Sequence, residues 1–221
     1  MPSKQEITTV LTLLKKDHKP TMLEQLSHYT AFQMVVMTAL SARAKDATVI
    51  PIVIDMFAKH PNPEDFVDMP VEKLEKMIYK IGFYRVKARN VIALSKMLLE
   101  KFDGVVPDTR EELMELPGVG RKTANCILAY KFKKPAIAVD IHVFRIANRL
   151  GWVHTKNEKE TEFALMELVP KDQWINVNNM LVGHGQSICS PRKPSCGKCN
   201  VREYCEFGKT SLNKKEREKR K

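Results

Sequence analysis

Four cysteines near the end of the chain have a spacing that suits a metal centre. Cys189, Cys196, Cys199 and Cys205 are separated by six, two and five residues. Zinc and iron–sulfur centres both accept four thiolates, so the residue types alone allow either. Zinc sites usually combine two cysteine pairs, whereas this segment has a single Cys-x-x-Cys pair. The uneven spacing therefore favours a [4Fe–4S] cluster over zinc. The fifth cysteine, Cys126, is expected to be a small buried residue.

A glycine turn between two helical patterns is the second candidate site. The string Pro117–Gly120 interrupts the apolar periodicity, and Asp108 or Thr109 forms a capping-box pattern that starts the preceding helix. Backbone N–H groups at the start of the following helix suit a phosphate, and such contacts fix position without reading base sequence. The turn is thus interpreted as a helix-hairpin-helix that binds a nucleic-acid backbone. Its expected contact residues are Gly118, Val119, Gly120 and Arg121.

A lysine and an aspartate add the means for covalent chemistry. Lys122 lies in the first turn of the helix after the hairpin, where the helix dipole and Arg121 both favour the neutral, nucleophilic amine. Asp140 follows the apolar run Ala136–Val139 and directly precedes a helix, which predicts an N-cap. The intervening chain is long enough to bring the two side chains together. An amine with a carboxylate suits attack at a sugar C1′ through a Schiff base.

The elements that carry these residues are predicted to be helices throughout. Apolar residues recur at helical spacing along most of the chain, for example on one face from Ala88 to Leu99, and strand patterns are scarce. Prolines and glycines, including Pro51, Gly82 and Gly104, are expected to separate the helices. The sequence therefore predicts an all-α fold of many helices joined by tight connections.

Composition narrows the class of partner. The 221 residues include 37 Lys and Arg against 26 Asp and Glu, a formal net charge of +11, which favours a polyanionic partner. No apolar run is long enough to cross a membrane, and the first residues lack the apolar core of a signal peptide. We therefore expect an intracellular protein of the cytoplasm and nucleoid, or of the nucleus in a eukaryote. The basic segment 209–221 is expected to be a disordered tail.

Three features together resemble the endonuclease III family of helix-hairpin-helix DNA glycosylases. These are Leu116–Asn125, the stretch Ala138–Asp140 continued by His142–Arg145, and the six-two-five cysteine spacing, in the family's order. The resemblance implies two helical domains with a DNA-binding cleft between them. Residues 24–134 would form a six-helix barrel that contains the hairpin, and residues 1–23 with 135–208 would form the domain of the iron–sulfur cluster.

The resemblance also implies residue roles. Lys122 and Asp140 would be catalytic, and the four cysteines would hold a [4Fe–4S] cluster. Arg192 and Lys193, in the cysteine spacer, would contact phosphate. His142 and His184 are expected to be structural rather than catalytic.

Two further DNA contacts come with departures from the family pattern. Arg43 stands where the family usually has a glutamine that fills the space of the extruded base, and its alternative role is a phosphate contact. Phe83 occupies the position of an apolar wedge. Ile141 replaces the usual threonine after the aspartate. Opposite-base preference and lesion range are the properties that these changes affect.

The resulting hypothesis is a bifunctional DNA glycosylase and AP lyase of base excision repair. We expect a monomer that acts on damaged double-stranded DNA, removes oxidised pyrimidines and cuts 3′ to the abasic site by β-elimination. One alternative is a mismatch (T·G or U·G) or adenine glycosylase of the same superfamily, against which Lys122 argues. A non-catalytic DNA-binding iron–sulfur protein would require Lys122 and Asp140 to coincide by chance.

Overall fold

The computed structural model describes residues 2–210, and they form an all-helical protein. Helices account for 66% of the residues, and the described part of the chain contains no strand. The predicted all-α class is therefore confirmed. The helices, in chain order, are α1 Lys4–Lys16, α2 Met22–Gln25, α3 Ala31–Ser41, α4 Asp46–Lys59, α5 Glu64–Val67, α6 Val71–Ile78, α7 Tyr84–Phe102, α8 Arg110–Glu115, α9 Arg121–Tyr130, α10 Ile141–Leu150, α11 Glu158–Leu168 and α12 Trp174–Ser187. Short 3₁₀ turns cover Lys171–Gln173, Cys196–Lys198 and Arg202–Tyr204.

The chain divides into two compact units. The first unit combines the chain up to Thr21 with the chain from Pro135 onward, and the second unit is Met22–Lys134. The first unit is thus discontinuous in sequence, with the second unit inserted into it. The six-helix-barrel architecture implied for residues 24–134 stays a prediction.

Helix α3 is the central element of the second unit. Thr30 starts it with a capping box, in which Gln33 N donates to Thr30 Oγ1 and Thr30 N donates to Gln33 Oε1. Almost every residue from Phe32 to Leu40 is buried, because α4, α7 and α9 all pack against this helix. A helix that is apolar on nearly all sides must be enclosed in this way. Its C-terminal end leads directly into the turn that carries Arg43.

The first unit has its own core, built on α10 and α12. Helix α12 packs against both α10 and α1, and α11 packs against α10. Residues from the two ends of the chain meet in this core; among the buried side chains are Ile7, Val10, Leu11, Val143, Ile146, Trp152, Val177 and Leu181. The cysteine segment lies beside it, because Cys189, Cys199 and Cys205 pack against the same cluster.

One sequence expectation is wrong. Pro51 does not separate two helices but lies inside α4. A proline interrupts the helical hydrogen-bond ladder because it lacks an N–H. Here the buried residues Val49, Val53, Met56 and Phe57 hold both sides of the proline in one helix.

Two further expectations concern membranes and the tail. Within residues 2–210, no helix is both long and apolar enough to span a membrane. Lys209 and Thr210, the first two residues of the predicted tail, are helical. The rest of that tail, residues 211–221, lies outside the described residues.

Candidate functional site

The predicted hairpin is formed by α8, the turn 116–120 and α9. Thr109 caps α8, since its Oγ1 accepts a hydrogen bond from Glu112 N at 3.3 Å and donates to Glu112 Oε2 at 2.6 Å. Below the turn, Arg110 Nε donates to the buried Asn125 Oδ1 at 2.8 Å, which ties the two helices together. The local capping pattern therefore produces the helix start that the sequence indicated.

Gly118 determines the shape of the turn. Its φ of +81° is a left-handed conformation that side chains disfavour, and a Cβ at this position would lie 2.9 Å from Asn90 Nδ2 on α7. Val119 anchors the turn instead, because its side chain is buried and its N–H donates to Leu116 O at 3.0 Å. Gly120, with φ −94°, is the N-cap of α9 and has open space where a Cβ would stand.

Lys122 is the second residue of α9 and is half-buried, like Arg121 before it. The remainder of the helix, from Thr123 to Tyr130, is buried. The first intrahelical bond runs from Ala124 N to Gly120 O, so the N–H groups of the first turn point away from the helix body. Lys122 is thus held by a rigid, buried helix at that helix's positive end.

Asp140 is the N-cap of α10, as predicted. Its Oδ1 accepts hydrogen bonds from His142 N at 2.8 Å and from Val143 N at 2.9 Å. Both bonds go to Oδ1, so the cap does not occupy Oδ2. The buried segment before it is fixed by Asn178, whose Nδ2 donates to Ala138 O at 2.6 Å. Lys122 belongs to the second unit and Asp140 to the first. That both side chains act on the same nucleotide stays a prediction.

The next residue, Ile141, is unusual for its exposure. Although it is apolar, 63% of its surface is accessible. The helix that follows Asp140 therefore presents an aliphatic side chain at its first position.

The four C-terminal cysteines line one pocket. It has a volume of about 370 Å³ with its open side included, and Ile146, Leu150 and Val201 supply part of its apolar wall. Among the described residues none of these four cysteines forms a disulfide, and Cys126 is buried, as predicted. Burial raises the pKa of the Cys199 and Cys205 thiols, and the neighbouring cysteines raise both pKa values further. The four sulfurs are therefore close enough to influence one another's charge.

The donor set can be tested against the two metal centres that the sequence allowed. A single zinc ion needs four ligand atoms about 2.0–2.3 Å from one point. Among residues 2–210, no three His, Cys, Asp or Glu side chains converge in that way. Four thiols that line one pocket are a donor set that an iron–sulfur cluster accepts. N–H donors to sulfur are also present, from Arg149 Nη1 to Cys189 Sγ at 3.2 Å and from Gly208 N to Cys205 Sγ at 3.3 Å.

Arg149, on α10, ties the start of the cysteine segment to the first unit. Besides Cys189 Sγ, its guanidinium donates to Ser190 O at 2.9 Å and to Pro191 O at 2.7 Å. Phe207 lies against it, with the guanidinium carbon 4.6 Å from the ring centroid. Arg192 and Lys193 follow directly and are exposed, while Lys193 O accepts a hydrogen bond from Ser190 Oγ at 2.7 Å. The two basic side chains thus project from a hydrogen-bonded loop.

His184 and His142 both contact neighbouring side chains of the first unit. Burial lowers the pKa of His184 to about 4, and its Nε2 lies 3.7 Å from Cys199 Sγ. The Nδ1 of His142 is 3.2 Å from Arg145 Nη2. Arg145 itself donates to Gly185 O and Cys189 O, so this group links α10, α12 and the first cysteine.

Arg43 and Phe83 both occupy turns of the second unit and both side chains are exposed. Their backbones are left-handed, with φ of 54° and 60°. Sequence reasoning missed a third residue in this region, Lys87, whose Nζ donates to Leu40 O at 2.9 Å and Ala42 O at 2.7 Å. The acceptors lie more than forty residues away in sequence, so no local pattern could have revealed the contact.

Comparisons with known proteins agree with this arrangement. A profile described as HhH-GPD superfamily base excision DNA repair protein matches residues 36–171. Endonuclease III of Thermotoga maritima is 44% identical over 176 residues, which cover 80% of this chain and 83% of that protein. The chain belongs to the endonuclease III family. Endonuclease III of Escherichia coli K12 is 36% identical over 198 residues, covering 90% and 93% of the two chains.

Solved structures extend the comparison to the fold of this endonuclease III family member. An endonuclease III–DNA covalent intermediate, trapped as an estranged-adenine complex, matches with a TM-score of 0.87 and 38% identity over 96% of this chain and 100% of that chain. A thermostable thymine-DNA glycosylase matches with a TM-score of 0.80 and 26% identity over 92% and 95%. The predicted function class, a base excision repair DNA glycosylase and AP lyase, is thereby confirmed.

Proposed function

We propose that this endonuclease III family member removes oxidised pyrimidines from damaged duplex DNA, acting as a monomer with Lys122 as nucleophile and Asp140 as the assisting carboxylate. The observation that carries the proposal is the placement of Lys122, half-buried in the first turn of α9 directly after the glycine turn. The match to an endonuclease III trapped covalently on DNA supports it. An amine is the group that can form such a bond reversibly.

The reaction follows from these two groups. The Lys122 Nζ lone pair forms a bond to C1′, and the C1′–N bond to the base breaks, with the base leaving on its electron pair and taking up a proton. The Asp140 carboxylate stabilises the positive charge that develops at the sugar. The attached nitrogen then gives up a proton to solvent, the C1′–O4′ bond breaks as O4′ takes up a proton, and a protonated Schiff base remains between Nζ and C1′. Loss of a C2′ proton then expels the 3′ phosphate oxygen, and water finally releases Lys122 from the product.

We further propose that the backbone of the hairpin, with Gly118, Val119, Gly120 and Arg121, lies along the DNA phosphates. Arg192 and Lys193 would add a second group of phosphate contacts, and their exposure on a hydrogen-bonded loop supports this role. Arg43 and Phe83 would fill the space that the extruded base leaves, because both are exposed on strained turns.

The cofactor proposed for the cysteine pocket is a [4Fe–4S] cluster held by Cys189, Cys196, Cys199 and Cys205. The convergence of the four cysteines on one pocket and the N–H donors to sulfur support it. When bound, the cluster would cross-link the segment 189–205 and so hold the Arg192–Lys193 loop in place. Purified protein should absorb near 400 nm and contain iron. Colourless protein with one zinc and no iron would contradict this assignment.

A second candidate substrate is a T·G or U·G mismatch. The exposed Ile141 beside Asp140, together with Arg43, distinguishes this chain from the family pattern at the positions nearest the base. The match to a thymine-DNA glycosylase also favours it. The same covalent chemistry would act on both substrates, so a trapping assay on each duplex separates the two candidates.

The deciding experiment traps the covalent intermediate with borohydride. Wild-type protein is incubated with duplexes that contain an oxidised pyrimidine, a T·G mismatch or a preformed abasic site. We expect covalent complex on the oxidised pyrimidine and on the abasic site. Trapping on the abasic site alone would retain the lyase and refute the oxidised-pyrimidine specificity, and trapping on the mismatch would favour the second candidate.

Two variants test the lysine in the same assay. Lys122→Ala should abolish the covalent complex on every duplex while it still binds abasic DNA. The matched control is Lys96→Ala, which removes an exposed lysine from α7 and should trap like wild type. A Lys122→Ala protein that still traps would refute the Schiff-base assignment.

A further inference from the structure

The turns of Arg43 and Phe83 lie against each other. A Cβ placed on Gly82 would be 3.9 Å from Arg43 O, so the residue before Phe83 lies close to the backbone of Arg43. Each turn holds a non-glycine residue in the left-handed region, a conformation that persists only where surrounding contacts maintain it. We therefore looked for contacts that hold the two turns in this arrangement.

Lys87 makes hydrogen bonds to both turns. Its backbone N–H donates to Phe83 O at 3.1 Å, which fixes the start of α7. Its side chain crosses to the other turn, where Nζ donates to Leu40 O at 2.9 Å and to Ala42 O at 2.7 Å. Ala42 directly precedes Arg43, and Leu40 lies three residues before it. One residue thus binds Phe83 through its backbone and the approach to Arg43 through its ammonium.

The ammonium suits this place for an electrostatic reason. The last carbonyls of α3 have no partner within the helix and form its negative end. Lys87 satisfies one of them and also the first carbonyl beyond the helix. Burial lowers the pKa of the Lys87 ammonium, as expected for a cation withdrawn from water. Loss of this side chain would remove two hydrogen bonds that join α7 to the residues just before Arg43.

We propose that Lys87 is a positioning residue for base extrusion, which holds the Arg43 and Phe83 turns together so that both side chains enter the DNA as one unit. This inference rests on the proposed roles of Arg43 and Phe83. Lys87 touches neither the reacting sugar nor the base in this scheme. Lys87 acts by positioning Arg43 and Phe83, which would contact the DNA.

The test measures base extrusion separately from lyase chemistry. The duplex carries 2-aminopurine next to an oxidised pyrimidine, and the fluorescence of 2-aminopurine rises when its neighbour leaves the stack. Lys87→Met retains the length of the side chain but removes its donors and charge. We expect it to reduce the fluorescence rise and to slow base removal under single-turnover conditions by about tenfold, the equivalent of one or two lost hydrogen bonds.

A preformed abasic site provides the internal comparison. It is extruded more easily than a paired base, so its trapping by Lys87→Met should change by no more than about threefold. Lys87→Arg keeps a cationic donor and should recover most of the fluorescence rise. Lys96→Met removes an exposed lysine from the same helix and should behave like wild type in every measurement.

Three outcomes would overturn the inference. Lys87→Met could match Lys96→Met, or it could lose base removal and abasic trapping by the same factor together with its thermal stability, which would indicate a purely structural role. A variant that adds Lys87→Met to the double change Arg43→Ala, Phe83→Ala supplies the third. If Lys87 acts through Arg43 and Phe83, this triple variant is no slower than the double variant, and additive losses would contradict this.

The failure of the underlying assignment has a different signature. If Phe83→Ala and Arg43→Ala both leave the fluorescence rise and the rate unchanged, their proposed roles are wrong and the inference is overturned with them. If those variants lose the fluorescence rise while Lys87→Met keeps it, only the role of Lys87 is wrong.

Discussion

Asp140 combines a structural and a chemical task in one side chain. Its Oδ1 caps α10 through the N–H groups of His142 and Val143, while the proposed reaction uses its negative charge. An asparagine can perform the first task but not the second, because caps of Asp and Asn are about equally stable.

We therefore expect the free energy of unfolding of Asp140→Asn to lie within about 0.5 kcal/mol of the wild-type value. Asp140→Ala should lower that free energy by about 1 kcal/mol, because it lacks the cap. Both should lose base removal about a hundredfold or more, since each lacks the stabilising charge. Urea unfolding and single-turnover kinetics measure the two effects. An Asp140→Asn protein with wild-type kinetics would show that the aspartate is only a cap.

The two glycines of the hairpin turn differ in what they require. Gly118→Ala should destabilise the protein by about 1–2 kcal/mol, because an L-residue is strained in the left-handed region and Asn90 must move. Gly120→Ala is the matched control, since its φ is −94° and nothing lies where its Cβ would stand. Equal unfolding midpoints for the two variants would contradict this account of the turn.

At the scale of elements, the sequence predicts features that depend on neighbouring residues, but not contacts between residues far apart in the chain. The caps of α8 and α10 were predicted because a capping residue and its partners lie within a few positions in the sequence. The prediction that Pro51 separates two helices is wrong because a proline inside α4 is tolerated through residues that pack around the helix, and a local pattern does not include them. The partners of Lys87 and Arg149 lie about forty residues or more away, and only the folded chain brings them together.

Helix α10 also determines how firmly the cysteine segment is held. Arg149→Met should loosen residues 189–191, because three acceptors lose their donor at once. Arg149→Lys should have an intermediate effect, since one ammonium does not reproduce a planar fork. The measurement is the rate at which absorbance near 400 nm disappears in the presence of a chelator.

Lys159→Met, which removes an exposed cation from α11, is the control for lost charge. It should lose the absorbance at the wild-type rate. If Arg149→Met also retains its cluster at that rate, the guanidinium does not secure the segment.

At the scale of the whole molecule, the net charge of +11 predicts salt-dependent binding. The logarithm of the association constant should fall linearly with the logarithm of salt concentration, with a slope of about −0.9 for each phosphate neutralised. The double variant Arg192→Ala, Lys193→Ala should flatten this slope by about 1.8 if both residues contact phosphate. Filter binding to an abasic duplex from low to high salt measures the slope.

Lys59→Ala is the comparison, because Lys59 is an exposed lysine paired with Asp55 at 2.9 Å. Its slope should equal that of wild type. A double variant with an unchanged slope would remove the Arg192–Lys193 loop from the DNA interface.

The insertion of one unit into the other sets an order of events during translation. Helix α1 is synthesised before Met22–Lys134, but the helices against which its apolar side chains pack begin only after Pro135. At about 5–20 residues per second, the chain from Pro135 onward begins to appear roughly 6–24 s after α1, and Met22–Lys134 is synthesised in that interval. Throughout that interval Ile7, Val10, Leu11 and Leu14 have no native core to enter. A ribosome stalled before Pro135 would therefore display a nascent chain in which the apolar side chains of α1 lack their native partners, the kind of segment that chaperones bind.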